Sequence, residues 1–270
     1  MMPPVQFTVG NTITVSVAIY RQNWRQYLKL SLIAHLWLLV PVYGWARYFA
    51  IAAWISKLSF SEQAKNLDSI ERKQYFKFDS LTRLTIIGIS TIFIPLIVGN
   101  IIMIPLAIIL PIIFKLLLQF PEAIKFIESD NGFLLLGYFA LFVCYLIWTS
   151  IYARLFVTDL TYGNYLKNHR ICPYPINRSY VITKNNVLKI YKIIWLTFLI
   201  SLPVYLIMFI YVFAITFFMY AIQSEKSYLL VFFFPTIVLL AHILLLPLWQ
   251  SVKAVVFHQL TKAGNRKTVR

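Results

Sequence analysis

Long apolar segments alternate with short charged stretches along the whole chain. A helix needs about 20 apolar residues to cross the hydrocarbon core of a membrane. Three of the apolar segments have the length of one such crossing, and two are longer. The five segments are residues 28–56, 84–120, 133–151, 193–220 and 228–249. This pattern predicts an all-α, polytopic integral membrane protein that forms one transmembrane helical domain over residues 1–270.

The two longest apolar segments contain helix-breaking residues, so the number of helices in each is open. Pro41-Val-Tyr-Gly44 interrupts the first segment, and this Pro/Gly combination allows either a kink or a tight turn. Three prolines interrupt the second segment: Pro95, Pro105 and Pro111. Because proline removes a backbone N–H and crowds the preceding turn, this segment can be one bent helix or two short ones.

The distribution of basic residues favours one of these alternatives. Cytoplasmic segments of membrane proteins are enriched in Lys and Arg close to the spans. Four segments carry 20 of the 25 basic residues, namely 1–27, 57–83, 152–192 and 250–270. If all four face the cytoplasm, the first apolar segment is a helical hairpin and the second crosses the membrane once.

This arrangement predicts about six transmembrane helices with both termini in the cytoplasm. Their expected positions are about 28–41, 44–58, 84–120, 133–156, 192–220 and 228–250. In the alternative arrangement, residues 28–56 are one bent span and residues 84–120 form the hairpin. That alternative places residues 57–83 outside, with six basic residues, and is therefore the weaker fit.

Two further segments, at residues 11–27 and 177–191, are predicted to be interfacial amphipathic helices. In the first, apolar residues recur at spacings of three and four: Ile13, Val17, Tyr20, Trp24 and Tyr27. This pattern is typical of a helix in the headgroup plane, and equally of a helix packed on the rest of the protein.

In the second interfacial helix, Asn177 or Ser179 is the expected N-cap. The apolar side is expected to consist of Val181, Val187, Leu188 and Tyr191. The basic residues would then lie at the depth of the lipid headgroups: Arg178, Lys184, Lys189 and Lys192. Basic and aromatic residues together favour an anionic membrane surface as partner, whereas in the alternative these charges only fix the topology.

Composition and charge exclude several classes of protein. With 60% apolar and 13% charged residues, the chain is too hydrophobic for a soluble globule or for a disordered chain. The net charge of +16 comes from basic residues beside apolar segments, which indicates membrane orientation. The expected partner is therefore the lipid bilayer, anionic lipids included, and nucleic acid is not expected.

Catalytic and metal-binding patterns are missing from the sequence. Cys144 and Cys172 have neither the spacing of a disulfide framework nor that of metal ligands. The four histidines have no acidic neighbour within a motif, and no nucleotide-binding or hydrolase motif occurs. We therefore expect no enzymatic activity, no cofactor and no metal site.

Polar residues inside the apolar segments are the candidate functional positions, because they are costly in hydrocarbon. His35, Asn100 and His242 either line a cavity or hydrogen-bond to a neighbouring helix. Arg154 and Asp159 are predicted to form an ion pair at the inner end of the fourth helix. The middle of each apolar segment lacks Asp and Glu, which disfavours a cation- or proton-coupled transporter.

Two passages resemble known membrane families. Tyr20-Arg21-Gln-Asn-Trp24, followed by Pro41-Val-Tyr-Gly44-Trp45-Ala-Arg47, is similar to the opening of an uncharacterised family of cyanobacterial polytopic membrane proteins. Arg178-Ser179, followed by Thr183-Lys184, resembles a superfamily that includes the membrane domain of some glycerophosphodiester phosphodiesterases. The resemblance implies a six-helix fold in a bacterial plasma membrane or a thylakoid membrane. It implies no activity, because the His and Glu/Asp clusters of the phosphodiesterase reaction are missing here.

Two functions are consistent with these features. We expect a non-enzymatic membrane component that acts as a scaffold or organises lipids, because catalytic groups are missing and the cytoplasmic side is basic and aromatic. The alternative is a permease-like protein for an anionic or amphiphilic solute, which His35, Asn100 and His242 would favour if they met at a cavity.

Overall fold

The computed structural model describes residues 8–64, 74–117, 130–167, 174–221 and 229–267, and the regular structure in these residues is helical. The helices are α1 (Val9–Gln22), α2 (Trp24–Trp37), α3 (Tyr43–Ala64), α4 (Phe78–Leu117), α5 (Asp130–Leu155), α6 (Thr158–Lys167), α7 (Pro175–Thr183), α8 (Val187–Ala221) and α9 (Leu229–Lys267). A 3₁₀ turn at Lys184–Asn186 joins α7 to α8. The prediction of an all-α fold is confirmed.

Three stretches of helix in the described residues are long and apolar enough to cross a membrane. They are Phe78–Pro95 in α4, Pro175–Tyr211 across α7 and α8, and Val238–Lys262 in α9. On α8, large apolar side chains such as Ile207, Phe209 and Phe213 are exposed. Such a surface is unfavourable in water and suits the hydrocarbon of a bilayer. The chain therefore has helices fit for a membrane.

The amphipathic segment at residues 11–27 is divided between two helices. α1 ends at Gln22, Asn23 leaves the helical conformation, and α2 begins at Trp24. The buried side of α1 consists of Thr12, Ile13, Ser16 and Ile19. Through this side α1 packs against α8 and α9. The structure thus shows α1 packed on the rest of the protein, and its position in the headgroup plane stays a prediction.

The first long apolar segment forms an antiparallel hairpin of α2 and α3. Near the turn, the Trp37 and Tyr43 rings meet edge-to-face with centroids 5.7 Å apart. At the open end, the Ser59 hydroxyl donates to the Tyr27 hydroxyl oxygen at 3.2 Å. The end of α2 thus lies beside the start of α3, and the start of α2 beside the end of α3. One bent helix over residues 28–56 does not describe this segment.

The reversal between α2 and α3 depends on two unusual backbone positions. Val42 has a φ of 62°, which is rare for a β-branched residue. Gly44 lies so close to the end of α2 that an added Cβ would be 1.8 Å from the Trp37 carbonyl oxygen. A side chain at residue 44 would therefore force the two helices apart.

The second long apolar segment forms one helix, α4, without a reversal of direction. Its 40 residues correspond to about 60 Å, which is longer than the hydrocarbon core. The helix continues through all three prolines of the segment, namely Pro95, Pro105 and Pro111. It begins at Phe78, earlier than predicted.

α9 is the central helix of the bundle, and it packs against α1, α2, α3 and α8. Leu246 and Val255 belong to a hydrophobic cluster with α2, α3 and α4. Val252 and Phe257 belong to a second cluster with α5, α6 and α8. Because these residues pack in the core, the helix continues to Lys267 rather than ending near the predicted residue 250.

Buried polar side chains also hold α9 against the N-terminal helices. The Thr12 hydroxyl of α1 donates to Gln259 Oε1 at 2.9 Å, and the Ser56 hydroxyl of α3 donates to Gln250 Oε1. All four side chains are buried. In membrane proteins, interhelical bonds of this kind contribute about 0.6 kcal/mol each. They specify which helix faces which.

Two hydroxyls of α1 and α2 donate to backbone carbonyls of α9. The Tyr20 hydroxyl lies 3.1 Å from the Leu244 carbonyl oxygen, and the Ser31 hydroxyl lies 2.7 Å from the Ile243 carbonyl oxygen. Burial raises the pKa of the Tyr20 hydroxyl above its ordinary value, which further favours the protonated form that donates this bond. These contacts place α1 and α2 on the same stretch of α9.

Candidate functional site

The structure brings together two of the three polar residues predicted inside the apolar segments. The His35 ring of α2 and the His242 ring of α9 have centroids 6.2 Å apart. Tyr48 of α3 contacts His35 at 5.4 Å, and Tyr205 of α8 contacts His242 at 6.4 Å. Asn100 lies in α4, and its side chain is outside the described part of the chain. Four polar rings from four helices therefore form one cluster, the histidine–tyrosine cluster.

The hydrogen bond of His35 defines its tautomer. Its Nδ1 lies 2.8 Å from the Ser31 carbonyl oxygen, which can only accept, so Nδ1 carries the proton. Nε2 of the neutral ring is then an acceptor. His35 is buried, whereas His242 is exposed. The cluster thus reaches from the core to the surface of the bundle.

The predicted ion pair between Arg154 and Asp159 is wrong, because Asp159 pairs with Lys253. Lys253 Nζ on α9 lies 3.4 Å from Asp159 Oδ2, and 13% and 15% of the two side chains are exposed. The Arg154 guanidinium instead lies 4.4 Å from the centroid of the Tyr180 ring. The turn between α5 and α6 separates the two predicted partners, because each belongs to a different helix.

Lys253 is the site residue that sequence analysis missed. The sequence pattern groups it with the basic residues of segment 250–270, which orient the chain. On α9, however, it lies three helical turns after His242 and therefore on the same face. Apolar residues surround it on both sides along the helix. A lone lysine in such a position indicates a buried partner, and that signal was present in the sequence.

α7 begins differently from the predicted interfacial helix. Tyr174 is the N-cap residue, and Pro175 occupies the first helical position, where its missing N–H leaves no helical bond unmade. Neither predicted cap, Asn177 or Ser179, serves as the N-cap. The Ser179 hydroxyl instead donates to the Arg154 carbonyl oxygen at 2.8 Å. A carbonyl in the last turn of α5 has no partner within its own helix, which explains this bond.

The buried side of α7 is polar rather than apolar. Ser179 and Thr183 are buried, and the Thr183 hydroxyl lies 3.2 Å from the same carbonyl oxygen of α5. Val181 and Leu188, which were predicted on the apolar side, are 66% and 77% exposed. Hydroxyl bonds to α5 orient α7, and the two apolar side chains lie on the surface, where an interfacial helix would present them to lipid; the interfacial position of residues 177–191 stays a prediction.

The basic residues of this junction are on the surface. Four of them are exposed, namely Arg178, Lys184, Lys189 and Lys192. Lys184 lies in the 3₁₀ turn, and two of the lysines lie in the first two turns of α8. The apolar part of α8 follows directly. Lysines at the end of a membrane-compatible helix extend their ammonium groups toward the headgroup region.

A cleft of about 480 Å³ opens between α4 and α7. Its lining includes Arg83, Ile86, Tyr162, Tyr174, Asn177 and Tyr180. The Arg83 side chain is exposed, and in the described ranges no carboxylate forms an ion pair with it. The Arg154 guanidinium packs on the Tyr180 ring. The cleft therefore combines a cation, hydroxyl and amide groups, and apolar walls.

A smaller cavity of about 180 Å³ lies beside Arg47. The Arg47 guanidinium is 5.6 Å from the Trp37 ring and 5.4 Å from the Phe76 ring, and its Nε donates to the Tyr43 hydroxyl oxygen at 2.9 Å. This cation is already engaged by aromatic partners, which points to a structural role.

The part of the chain that the structure describes contains no group of three or more His, Cys, Asp or Glu residues that could hold a metal ion. Comparison with family models, with curated proteins and with solved structures finds no match for this chain. The resemblance to cyanobacterial membrane proteins and to a phosphodiesterase membrane domain therefore stays a prediction.

Proposed function

We propose that this chain is a non-enzymatic, multi-pass membrane protein that organises anionic lipids at its basic side. The proposal is carried by the exposed basic side chains that directly precede the apolar part of α8: Arg178, Lys184, Lys189 and Lys192. Each basic group near an anionic membrane surface contributes about 1 kcal/mol to the attraction, and several such groups reinforce one another. A role as a scaffold that binds other membrane proteins would require the same position of this chain in the bilayer.

The proposed topology has about six helices in the membrane, with both termini and residues 57–83 in the cytoplasm. It requires the hairpin of α2 and α3 to return to the side from which it enters. α2 has 14 residues and is therefore about 21 Å long, shorter than a hydrocarbon core of about 30 Å. A hairpin that only dips into the bilayer, or that crosses a locally thin region twice, brings the chain back to the side of the membrane from which it entered.

Cysteine labelling tests this topology. With both native cysteines replaced by serine, a cysteine at residue 70 should resist an impermeant maleimide in intact cells and react after permeabilisation. A cysteine at residue 225, between the last two helices and therefore outside in the proposed topology, is the matched control and should react in both conditions. Efficient labelling of residue 70 in intact cells would contradict the topology.

Lipid enrichment tests the function. In nanodiscs of equal parts phosphatidylglycerol and phosphatidylcholine, the wild-type protein should concentrate phosphatidylglycerol around it. The triple variant K184Q/K189Q/K192Q should lose most of this enrichment. The wild-type enrichment should also fall with added salt, because exposed charges are screened beyond about 8 Å at physiological ionic strength. K262Q, an exposed lysine near the end of α9, is the control. Equal enrichment of phosphatidylglycerol by the wild type and the triple variant would contradict the proposal.

A permease-like function for an anionic or amphiphilic solute is the second candidate, and the histidine–tyrosine cluster favours it. His35 and His242 contribute from two helices; the one N–H of a neutral His35 ring already binds the Ser31 carbonyl oxygen, so the donor to an anion would be the neutral imidazole of His242. The double variant H35A/H242A should then abolish flux of an anionic dye across proteoliposomes and leave the lipid enrichment unchanged. Undiminished flux in this variant would remove the cluster from any pathway.

A further inference from the structure

We propose that the cleft between α4 and α7 binds a single anionic phospholipid, with the phosphate on Arg83 and one acyl chain along α4. This inference rests on the proposed function, the organisation of anionic lipids, and assigns one defined lipid site to it. The site is separate from the exposed lysines of the α7–α8 junction, which act on the membrane surface as a whole. It therefore has its own residues and its own test.

The part of the cleft at Arg83 suits a phosphate group. Arg83 offers a planar guanidinium, which can donate two parallel hydrogen bonds to phosphate oxygens. Asn177 and Tyr174 on the α7 wall supply amide and hydroxyl donors. Asp79 lies one turn earlier on α4, and within the described residues it forms no ion pair with Arg83. The cation is thus available to a ligand.

A row of apolar side chains on α4 begins at the cleft and extends to the membrane depth that an acyl chain would occupy. Its members are large, exposed and spaced by three or four residues: Ile86, Ile89, Phe93 and Ile97. This spacing places them on one face of the helix. From Ile86 to Ile97 the helix rises about 16 Å, which is about half of a 30 Å hydrocarbon core. One leaflet has this depth, so the row matches one lipid with its phosphate at Arg83.

The opposite wall of the cleft is held in place by its own contacts. The Thr161 hydroxyl of α6 donates to the Pro175 carbonyl oxygen at 3.1 Å. Ser179 anchors α7 to the last turn of α5, and the Arg154 guanidinium packs on Tyr180. A wall that is already positioned loses little conformational freedom on binding, which favours one tightly held lipid over a diffuse layer.

The test uses the full-length protein in the same mixed nanodiscs and measures how many phosphatidylglycerol molecules survive detergent extraction, by native mass spectrometry. Wild type should retain one resistant phosphatidylglycerol. R83Q should weaken its retention about tenfold, the factor expected for a lost hydrogen bond to a charged group. R21Q removes an exposed arginine on α1 that lies outside the cleft, and it should retain the lipid.

A second variant addresses the acyl chain without changing charge. I86W fills the cleft where it meets the apolar row and should expel the resistant lipid, even though Arg83 is intact. I207W makes the same change at an equally exposed position on α8 and is the matched control. Retention of the lipid by both R83Q and I86W would overturn the proposal. Equal loss in R21Q or I207W would overturn it too, because the effect would not be local.

Further outcomes separate this inference from the function on which it rests. If wild type shows no preference for phosphatidylglycerol, the proposed function and the site both fail. If wild type and R83Q concentrate the lipid equally while the triple lysine variant does not, only the site fails. If inorganic phosphate binds with the same dependence on Arg83 and I86W has no effect, the cleft takes a free anion and the lipid assignment is wrong.

Discussion

α8 and α9 are both long apolar helices, yet one is largely exposed and the other is the centre of the bundle. In the membrane-compatible stretch that ends in α8, 22% of an 18-residue apolar window is buried, whereas 61% of the corresponding window in α9 is buried. Their polar residues differ in a corresponding way. On α8, Thr197 and Ser201 donate to carbonyls of α8 itself, at 2.7 and 2.8 Å. On α9, Gln250, Lys253 and Gln259 bind side chains of other helices.

This difference shows what selects the central helix among several apolar ones. Lipid tails are as apolar as leucine, so hydrophobicity gives little preference for a helix over lipid. A buried polar side chain that cannot be satisfied within its own helix does give a preference, because leaving it buried without a partner is costly. α9 carries several such side chains and α8 carries hydroxyls that are satisfied locally. The placement of amides and charges, rather than apolarity, therefore orders the bundle.

The largest expected effect is at the ion pair of α9. K253L leaves the Asp159 carboxylate without its cation in a largely buried position, and losing one partner of such a pair costs about 3–5 kcal/mol. We expect a correspondingly lower free energy of unfolding in detergent. K192Q, which changes an exposed lysine of α8, should have little effect.

The double variant K253L/D159L provides the matched test of this prediction. It removes both charges, so it should recover most of the stability that K253L loses. If K253L is as stable as wild type, the ion pair does not hold α6 against α9. If the double variant is no more stable than K253L, the loss comes from packing of the lysine stem rather than from the unpaired carboxylate.

A pair of phenylalanines tests the difference in packing between the two helices. Phe257 of α9 is 2% exposed and Phe209 of α8 is 60% exposed. F257A removes a ring from the core and should lower the free energy of unfolding by about 3 kcal/mol. F209A should change it by less than about 0.5 kcal/mol, because the ring contacts few protein atoms. Equal losses in the two variants would mean that α8 is as deeply packed as α9.

The contrast between the helices also explains which parts of the structure the sequence could predict. Apolar segments and their Pro/Gly break predicted the helical fold, because membrane helices satisfy their backbone internally. A buried partner for Lys253 could be inferred, but neither the identity of that partner as Asp159 nor the cleft at Arg83 could be predicted in this way. Both residues belong to the basic segments that are predicted to orient the chain, and a charge count cannot distinguish a paired cation from an exposed one. That distinction depends on which helices pack together.

The start of α7 was mispredicted for a related reason. An N-cap assignment at Ser179 relies on local sequence alone, whereas its hydroxyl binds the Arg154 carbonyl oxygen of another helix. Pro175 had already determined where the helix begins. Local capping rules therefore fail where a hydroxyl has a stronger partner across an interface.

A smaller effect is expected at the amide of α9 that binds α3. Q250L and S56A each remove one side of the bond between Ser56 and Gln250. A double-mutant cycle should give a coupling energy of about 0.6 kcal/mol, the average for interhelical hydrogen bonds in membranes. Additive losses would show that Ser56 relies instead on its bond to the Ala52 carbonyl oxygen within α3.

The smallest effect is expected at the hydroxyls of α8, and it is the sharpest test of the comparison. T197V and S201A remove donors whose acceptors are the Ile193 and Thr197 carbonyl oxygens of the same helix. Those carbonyls keep their backbone hydrogen bonds, so the free energy of unfolding should change by less than about 0.5 kcal/mol. Both side chains are buried, and removal of a donor to another helix would cost more. A loss as large as that of Q250L would mean that α8 is also held by polar contacts, and that the difference between the two helices has another origin.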